Sequence, residues 1–173
     1  MDAYIEHNVK TSDEYVLNFK MLRAKRKDID KLPDMENVDC CTISLVPFKS
    51  FLDDLLLRTA DVLLINLRRS LIEEFKEVDQ YLESSMEKLN TKPRTVDEIG
   101  DAKKQWKEID GKKNSMMGLS KNCVEKKKVL LQYAPGTAVD ICEITTKMAN
   151  LDGEGGRWDD FDIALEAHND IIE

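Results

Sequence analysis

The sequence is poor in the residues that make turns, strands and metal sites. Among its 173 residues only 7 are Gly, 4 are Pro and 2 are His, and aromatic residues account for 6%. Charged residues reach 35%, and this balance is typical of helices with solvated faces. A chain of this length can bury roughly 70% of its unfolded surface. We therefore expect an all-α protein with a core of its own.

Cysteine is also scarce and is not arranged for metal or redox chemistry. The four cysteines are Cys40, Cys41, Cys123 and Cys142, with no Cys-x-x-Cys spacing. Adjacent cysteines such as Cys40 and Cys41 can hardly bridge each other, which favours a reducing compartment such as the cytoplasm. A redox or metal role for this pair is the alternative to the ordinary burial of small thiols.

The chain has no long apolar run and no excess of basic charge. Its most apolar stretch, 51–67, does not predict a membrane span, because it is interrupted by Asp53, Asp54, Arg58, Asp61 and Asn66. The start of the chain lacks the basic and then apolar pattern of a signal peptide. The net charge of −8 and the pI of 4.9 argue against nucleic-acid binding. We expect no membrane and no nucleic acid among its partners.

The most prominent feature of the sequence is a long helical periodicity of apolar residues. Between Pro47 and Leu89 apolar residues recur every three or four positions, apart from one gap at Thr59 and Ala60. The stripe consists of Phe48, Leu52, Leu55 or Leu56, Leu63, Leu67, Leu71, Phe75, Val78, Leu82, Met86 and Leu89. It predicts one helix over about 47–89, about 60 Å long. Because the first half is apolar on more than one face, we expect neighbours to cover two sides there.

The residues before this helix predict a shorter helix and an extended segment. Thr11 and Glu14 form a capping box that opens a helix running to about Lys31. Residues 38–46 then alternate, with Cys41, Ile43 and Leu45 on one side. Nothing else in the sequence alternates convincingly. We interpret the half-buried segment near 40–46 as an extended connector or a short strand without a partner.

A second capping box, Thr95 with Glu98, predicts the next helix. Its inner face is formed by Ile99, Ala102, Trp106 and Ile109. Gly111 is a candidate interruption before a further helix over about 115–133. A short helix over 139–148 is predicted after a Pro-Gly turn.

The last helix follows a glycine-rich joint at 152–156. Its stripe consists of Trp158, Phe161, Leu165, His168 and Ile172. The stripe reaches Glu173 without Gly, Asn or Pro to end it, so we expect the helix to continue beyond the chain.

Together, the predicted helices and the extended segment indicate elongated helical bundles in three parts: an N-terminal helical segment (1–37), a connector with the long helix (38–92) and a helical bundle (93–173).

No combination of residues predicts a catalytic, cofactor-binding or metal site. The run Gly153-Glu-Gly-Gly-Arg157 resembles a phosphate loop only superficially, because it lacks the following Lys and Ser or Thr and does not follow a strand. His7 and His168 lie at opposite ends of the chain without partners at metal-ligand spacing. His168 lies on the apolar stripe, which indicates a hydrogen-bonded interfacial residue.

The basic runs and the tryptophans have structural interpretations. The basic clusters are Arg23, Lys25, Arg26 and Lys27, and Lys126, Lys127 and Lys128. A localisation signal or a patch for an acidic partner is one interpretation, but a solvated helix face is favoured because the whole chain is acidic. Trp106 and Trp158 lie on apolar stripes, which favours core packing over binding anchors. We predict that this segment is not an enzyme.

Several stretches of the sequence resemble the dynein heavy chain. They are 38–49 (Val-Asp-Cys-Cys-Thr-Ile-Ser-Leu-Val-Pro-Phe-Lys), 51–56 (Phe-Leu-Asp-Asp-Leu-Leu), 67–72 (Leu-Arg-Arg-Ser-Leu-Ile) and 92–102 with its Pro-x-Thr-Val-Asp-Glu-Ile-Gly block. The resemblance covers roughly 38–173 and is to the helical part of the tail just before the motor's linker. Later stretches, Arg157-Trp-Asp-Asp-Phe and Leu165-Glu-Ala-His-Asn, are closest to the cytoplasmic dynein of cilia. Axonemal heavy chains share much of the earlier pattern.

The resemblance implies a non-catalytic mechanical connector within a minus-end-directed microtubule motor of retrograde intraflagellar transport. The nucleotide sites and the microtubule-binding stalk would lie elsewhere in the parent chain, and this segment would need no cofactor. The implied partners are other parts of the same heavy chain, intermediate or light chains, or a second heavy chain, in the cytoplasm, cytoskeleton and cilium. The alternative is a free-standing coiled-coil adaptor that recruits partner helices through the two-sided apolar region of the long helix.

Overall fold

The computed structural model describes residues 9–134, 142–151 and 155–172. Over these ranges the chain forms five helices and one antiparallel pair of strands. In chain order they are α1 (Ser12–Asp30), β1 (Met35–Val38), β2 (Cys41–Ser44), α2 (Val46–Leu89), α3 (Val96–Tyr133), α4 (Cys142–Ala149) and α5 (Arg157–Ile172). The expected all-α fold with one long helix is confirmed.

The chain packs into two compact units. The first comprises residues 1–70 and 126–136, and the second comprises residues 71–125 and 137–173. Helices α2 and α3 therefore contribute residues to both units. The three-part division predicted from the sequence follows position along the chain, whereas these two units are defined by packing. That division therefore stays a prediction.

Each unit has its own apolar core, whose burial is the main stabilising term. In the first unit the buried apolar side chains are Val9, Tyr15, Phe19, Leu63, Leu64, Leu67, Val129 and Leu130. In the second they are Leu71, Phe75, Val78, Leu82, Leu89, Ala102, Ile109, Cys123, Met148, Leu151, Trp158, Phe161, Leu165 and Ile172.

The start of α1 is the predicted capping box. The Glu14 N–H donates to Thr11 Oγ1 at 3.3 Å, and the Thr11 N–H donates to Glu14 Oε2 at 2.9 Å. The backbone N–H groups of Thr11 and Lys10 both donate to the charged carboxylate of Glu14 and hold its pKa below the usual value. Tyr15 and Phe19 form the buried face, whereas Met21 is exposed.

The alternating segment was predicted to lack a partner strand, and that prediction was wrong. β2 pairs with β1 in an antiparallel hairpin, with Val38 opposite Cys41 and Met35 opposite Ser44. Asp39 adopts a φ of 55° in the two-residue turn, a conformation that Asp tolerates better than most residues. The sequence signal was weak because the turn lacks Gly and β1 contains Glu and Asn, which have low strand propensity. The expected half-burial is also wrong, because every residue of both strands is exposed.

The long helix α2 runs unbroken through Thr59 and Ala60, as predicted. From Leu63 to Leu89 the predicted stripe is buried, apart from the half-buried Met86. In the first part of the stripe the prediction was wrong for Phe48, which is 53% exposed, and for Leu55, whereas Leu52 and the alternative Leu56 are half-buried. The expected coverage of a second side is found only in part, since the off-stripe Leu64 is buried whereas Leu57 and Ile65 face solvent.

Gly111 does not interrupt the chain, so the two helices predicted on either side of it are one helix, α3. A single glycine in a helix interior costs about 1 kcal/mol relative to alanine. Buried positions such as Ile109 and Cys123 lie on both sides of it. Their burial outweighs the local cost, and the helix continues.

We predict that Gly111→Ala stabilises the protein by about 0.5–1 kcal/mol, because alanine reduces the entropy of the unfolded chain. A Cβ at Gly111 would meet nothing within 4 Å. Urea unfolding followed by circular dichroism measures the change. The matched control is Gly155→Ala, which should destabilise because Gly155 has a φ of +74°. Equal effects of the two substitutions would contradict the helical assignment of Gly111.

The C-terminal stripe is confirmed in full, because all five of its predicted positions in α5 are buried. The short helix predicted over 139–148 is found as α4, with residues 139–141 outside the described residues. The Pro135–Gly136 turn and most of the glycine-rich joint also lie outside them. None of the described helices combines the length and the apolar character needed to cross a membrane.

Candidate functional site

Polar side chains connect the helices of the second unit to backbone carbonyls. Trp106 Nε1 donates to the Leu165 carbonyl at 3.0 Å. His168 Nδ1 lies 2.8 Å from the carbonyl oxygen of Leu89, the last residue of α2. A carbonyl only accepts, so His168 carries its proton on Nδ1 and satisfies a helix-end carbonyl that has no intrahelical partner. This contact confirms the prediction of a hydrogen-bonded interfacial histidine.

An aromatic cluster lies beside these contacts. Trp158 and Phe161 of α5 meet edge to face with ring centroids 5.7 Å apart, and Tyr81 of α2 lies 5.7 Å from Phe161. The Tyr81 hydroxyl donates to the Ile109 carbonyl at 2.8 Å. Burial raises the pKa of Tyr81 to about 12, since it disfavours the charged phenolate. Tyr81 is therefore a neutral hydrogen-bond donor at neutral pH.

Ion pairs flank the aromatic cluster. Arg157, the first residue of α5, pairs with Asp79 of α2, and both side chains are partly buried. Lys113 Nζ lies 2.8 Å from Asp162 Oδ1. Because these pairs join residues distant in sequence, they fix the position of α5 on the other helices of its unit.

In the first unit, part of the basic cluster on α1 is engaged in contacts. Arg26 Nε lies 2.9 Å from Asp53 Oδ1, and the Arg23 guanidinium lies 4.7 Å from the centre of the Tyr133 ring. The Tyr133 ring in turn stacks on Phe19 at 4.5 Å. All four basic residues are exposed, as the solvated-face interpretation predicts, and the two arginines make these contacts in addition.

Lys126 also departs from the prediction of a solvated face. Its side chain is completely buried, and Nζ donates to Ser70 Oγ at 2.8 Å. The neighbouring Lys128 is exposed. A buried ammonium requires polar partners, which the sequence pattern did not reveal.

Two of the concave surfaces in the described residues are candidate binding sites. A groove of about 230 Å³ in the first unit is lined mainly by apolar side chains, and its lining also includes Arg23, Arg26 and Asp53. A hollow of about 260 Å³ in the second unit is lined by polar and charged groups that include Lys88, Glu98 and His168.

The remaining candidates are not brought together into a site. His7 and Gly153 lie outside the described residues. Cys40 lies in the hairpin turn and Cys41 begins β2, both exposed, whereas Cys123 is buried. Within the described ranges, no group of three or more His, Cys, Asp or Glu side chains is placed to hold a metal ion.

Similarity to known proteins extends over the whole chain. It is 30% identical over 173 residues to cytoplasmic dynein 2 heavy chain 1 of Homo sapiens, and 35% identical over 173 residues to that of Tripneustes gratilla. The heavy chain of Chlamydomonas reinhardtii is 27% identical over 169 residues. The chain belongs to the dynein heavy chain family. It spans about 4% of the length of these relatives, and no protein-family model matches it.

The family-specific block of this dynein segment has a structural role at the start of α3. The Glu98 N–H donates to Thr95 Oγ1 at 3.3 Å, and Glu98 Oε2 accepts from the Arg94 N–H at 2.6 Å. Thr95 and Glu98 of the Pro-x-Thr-Val-Asp-Glu-Ile-Gly block thus satisfy backbone donors at a helix start. The stretch 38–49, which also resembles dynein heavy chains, spans β2 and the start of α2.

Sequence reasoning missed several residues that connect the helices of this dynein segment. Ser70, Asp79 and Tyr81 had no assigned role, yet each forms one of the polar contacts above. Their positions one residue before or after a core position of α2 were the available signal. Such positions border the buried stripe, where long or polar side chains reach a neighbouring helix.

Proposed function

We propose that this chain is a non-catalytic helical segment of a dynein heavy-chain tail, which connects the cargo-bearing part of the tail to the linker of a minus-end-directed microtubule motor. The similarity to dynein heavy chains along the entire chain supports this proposal most strongly. On this proposal the nucleotide sites lie elsewhere in the parent chain. The segment itself needs no cofactor and carries out no reaction.

The internal contacts of each unit suit a mechanical role. Helices α2 and α3 are 44 and 38 residues long, and their backbone hydrogen bonds are internal to each helix. Close-packed interiors resist deformation. The Arg157–Asp79 pair and the His168–Leu89 contact add polar connections between helices of the second unit. These features support a segment that keeps its shape under load.

The proposal extends to location and partners. The relatives are named cytoplasmic dynein 2 heavy chain 1, which supports retrograde intraflagellar transport in the cilium and a place in the cytoplasm and cytoskeleton. Partners on this proposal are other parts of the same heavy chain, dynein intermediate or light chains, or a second heavy chain. The free-standing adaptor is not favoured, because all 173 residues of this chain align with part of a dynein heavy chain.

Replacing the part of the parent heavy chain that corresponds to residues 46–133 of this sequence by a Gly-Ser linker of equal length tests the mechanical role. We expect the microtubule-stimulated ATPase of the purified motor to be unchanged, because the segment carries no nucleotide site. Retrograde transport in cilia should stop, because a flexible chain does not transmit force as packed helices do. The measurements are a steady-state ATPase assay and kymographs of transport.

The control is the same heavy chain with Gly111→Ala, which leaves every helix in place. Loss of ATPase activity in the linker-replaced motor would contradict a non-catalytic segment. Normal transport by that motor would contradict the mechanical role. ATP binding by the 173-residue chain in calorimetry would contradict the proposal as well.

A further inference from the structure

The hairpin register determines which backbone groups point away from it. The Leu45 N–H donates to the Asp34 carbonyl at 2.8 Å, one position beyond the last β1–β2 pair. In an antiparallel ladder, hydrogen-bonded pairs alternate with pairs whose N–H and C=O groups face outward. Counting from the bonded Asp34–Leu45 pair, the outward groups on β1 belong to Met35 and Asn37. On the other strand they belong to residues 42 and 44.

Neither edge of this hairpin is protected in the usual way. Proteins normally block open edges with Lys, Pro, bulges or a covering element. The segment 34–46 contains no Lys, Arg or Pro, and all eight strand residues are exposed. In the part of the chain that the structure describes, no third strand accompanies the pair. A two-stranded hairpin is only marginally stable alone, so it gains stability from an added strand.

The charges distinguish β1 from β2. Glu36 lies within β1 and Asp39 lies in the turn, whereas β2 carries no charged residue. Asp34, just before β1, is already paired with Lys49, whose Nζ lies 2.7 Å from Asp34 Oδ1. The β1 edge also presents Met35, which is 64% exposed, and the exposed Val38. A strand added to β1 would therefore meet acidic and apolar side chains. Opposite charges on neighbouring strands favour pairing.

We propose that the outward edge of β1 is a docking site for an extended, basic segment of a partner protein, which adds a third strand to the hairpin. The partner's backbone would pair with Met35 and Asn37. Its lysine or arginine side chains would lie near Glu36, and its apolar side chains would contact Met35 or Val38. Strand addition of this kind draws affinity from main-chain hydrogen bonds and specificity from alternate side chains.

The first test is hydrogen exchange of the 173-residue chain with a synthetic nine-residue peptide that alternates Lys with Val and Thr. At saturation we expect exchange of the Met35 and Asn37 amides to slow at least about ten-fold, with no slowing at Thr42 and Ser44. A peptide with proline at alternate positions lacks the needed N–H groups and should not protect them. Equal protection by both peptides, or protection at Thr42 and Ser44 alone, would overturn the proposal.

A matched pair of proline variants separates the two edges. Asn37→Pro and Thr42→Pro each remove one outward N–H and leave the ladder bonds in place. Both also remove the Thr42 Oγ1 to Asn37 Oδ1 hydrogen bond, so they disturb the hairpin equally. We expect Asn37→Pro to weaken peptide binding at least about ten-fold and Thr42→Pro to leave it nearly unchanged. The reverse order would place the docking edge on β2 and refute the assignment to β1.

A charge-matched pair tests the electrostatic part without touching the backbone. Glu36→Gln should weaken binding of the Lys peptide by about three-fold or more, whereas Glu83→Gln, at an exposed position of α2, should not. Equal weakening by both variants would mean that the peptide is attracted only by the net charge of the chain.

Sedimentation without peptide provides a further check, because self-association that protects the Met35 and Asn37 amides would identify a second copy of the chain as the occupant.

Discussion

We expect Leu63→Asp to abolish the cooperative unfolding transition of the first unit at 25 °C. Leu63 is 2% exposed, so the substitution removes a buried side chain worth about 2–5 kcal/mol. It also leaves a carboxylate without water or a partner, a further cost of several kcal/mol. The sum is comparable with the total stability of a typical domain, about 5–15 kcal/mol. Urea unfolding followed by far-ultraviolet circular dichroism measures the loss.

The control is Ile65→Asp, two residues further along the same helix. Ile65 is 64% exposed, so the same change of residue type there places the new charge in water. We expect its effect to remain within about 0.5 kcal/mol, as for most surface substitutions. If Leu63→Asp unfolds at the same urea concentration as Ile65→Asp, Leu63 does not belong to the core.

Phe161→Ala is the second substitution with a large expected effect. Phe161 is 0% exposed and contacts the rings of Tyr81 and Trp158. Truncating a buried Phe costs about 3–5 kcal/mol, a total that includes the lost aromatic pairs, which are worth about 0.5–1.5 kcal/mol each beyond their buried area. Because Trp158 loses its edge-to-face neighbour, its fluorescence should shift towards longer wavelengths. Chemical unfolding and tryptophan emission measure the two consequences.

Ile163→Ala is the matched control for this substitution. Ile163 lies two residues further along α5 and is 67% exposed, so its truncation creates no cavity. We expect almost unchanged stability and an unchanged Trp158 emission spectrum. Similar losses from Phe161→Ala and Ile163→Ala would show that α5 is not held by its buried stripe.

Sequence reasoning succeeded where one local pattern determines one local structure. The five positions from Trp158 to Ile172 step by three and four, and all five are buried. Thr11 and Glu14 form a capping box over only four residues, and both of its hydrogen bonds are present. Such features depend on contacts between near neighbours in sequence, so the pattern contains the information needed.

Sequence reasoning failed where the outcome depended on distant residues. The exposed Phe48 matched the stripe of α2 as well as the buried Leu71 did, because periodicity identifies a face but not whether another element covers it. The partner strand Met35–Val38 was missed because it has little strand character of its own. Gly111 was a candidate interruption because glycine has a low helix propensity. Burial on both sides of Gly111 decides instead that α3 continues.

The candidate site shows the same division. The position of His168 on an apolar stripe predicted that it makes a hydrogen bond at an interface. Its partner, the Leu89 carbonyl, lies 79 positions away in sequence. Lys126 belongs to a run of three lysines, and only packing revealed that one of them is buried against Ser70. The polar contacts between helices were therefore not available from spacing.

The sequence by itself determined the helical class, the length of α2, the helix starts and the dynein resemblance, because these depend on residue type and on spacing within one element. The tertiary structure alone decided which parts of each stripe are covered, that β1 and β2 form an exposed hairpin, and which polar side chains join the helices of each unit. Burial and pairing are relations between residues far apart in the chain. Each depends on how two distant segments pack against each other, and the sequence of one segment does not contain that information.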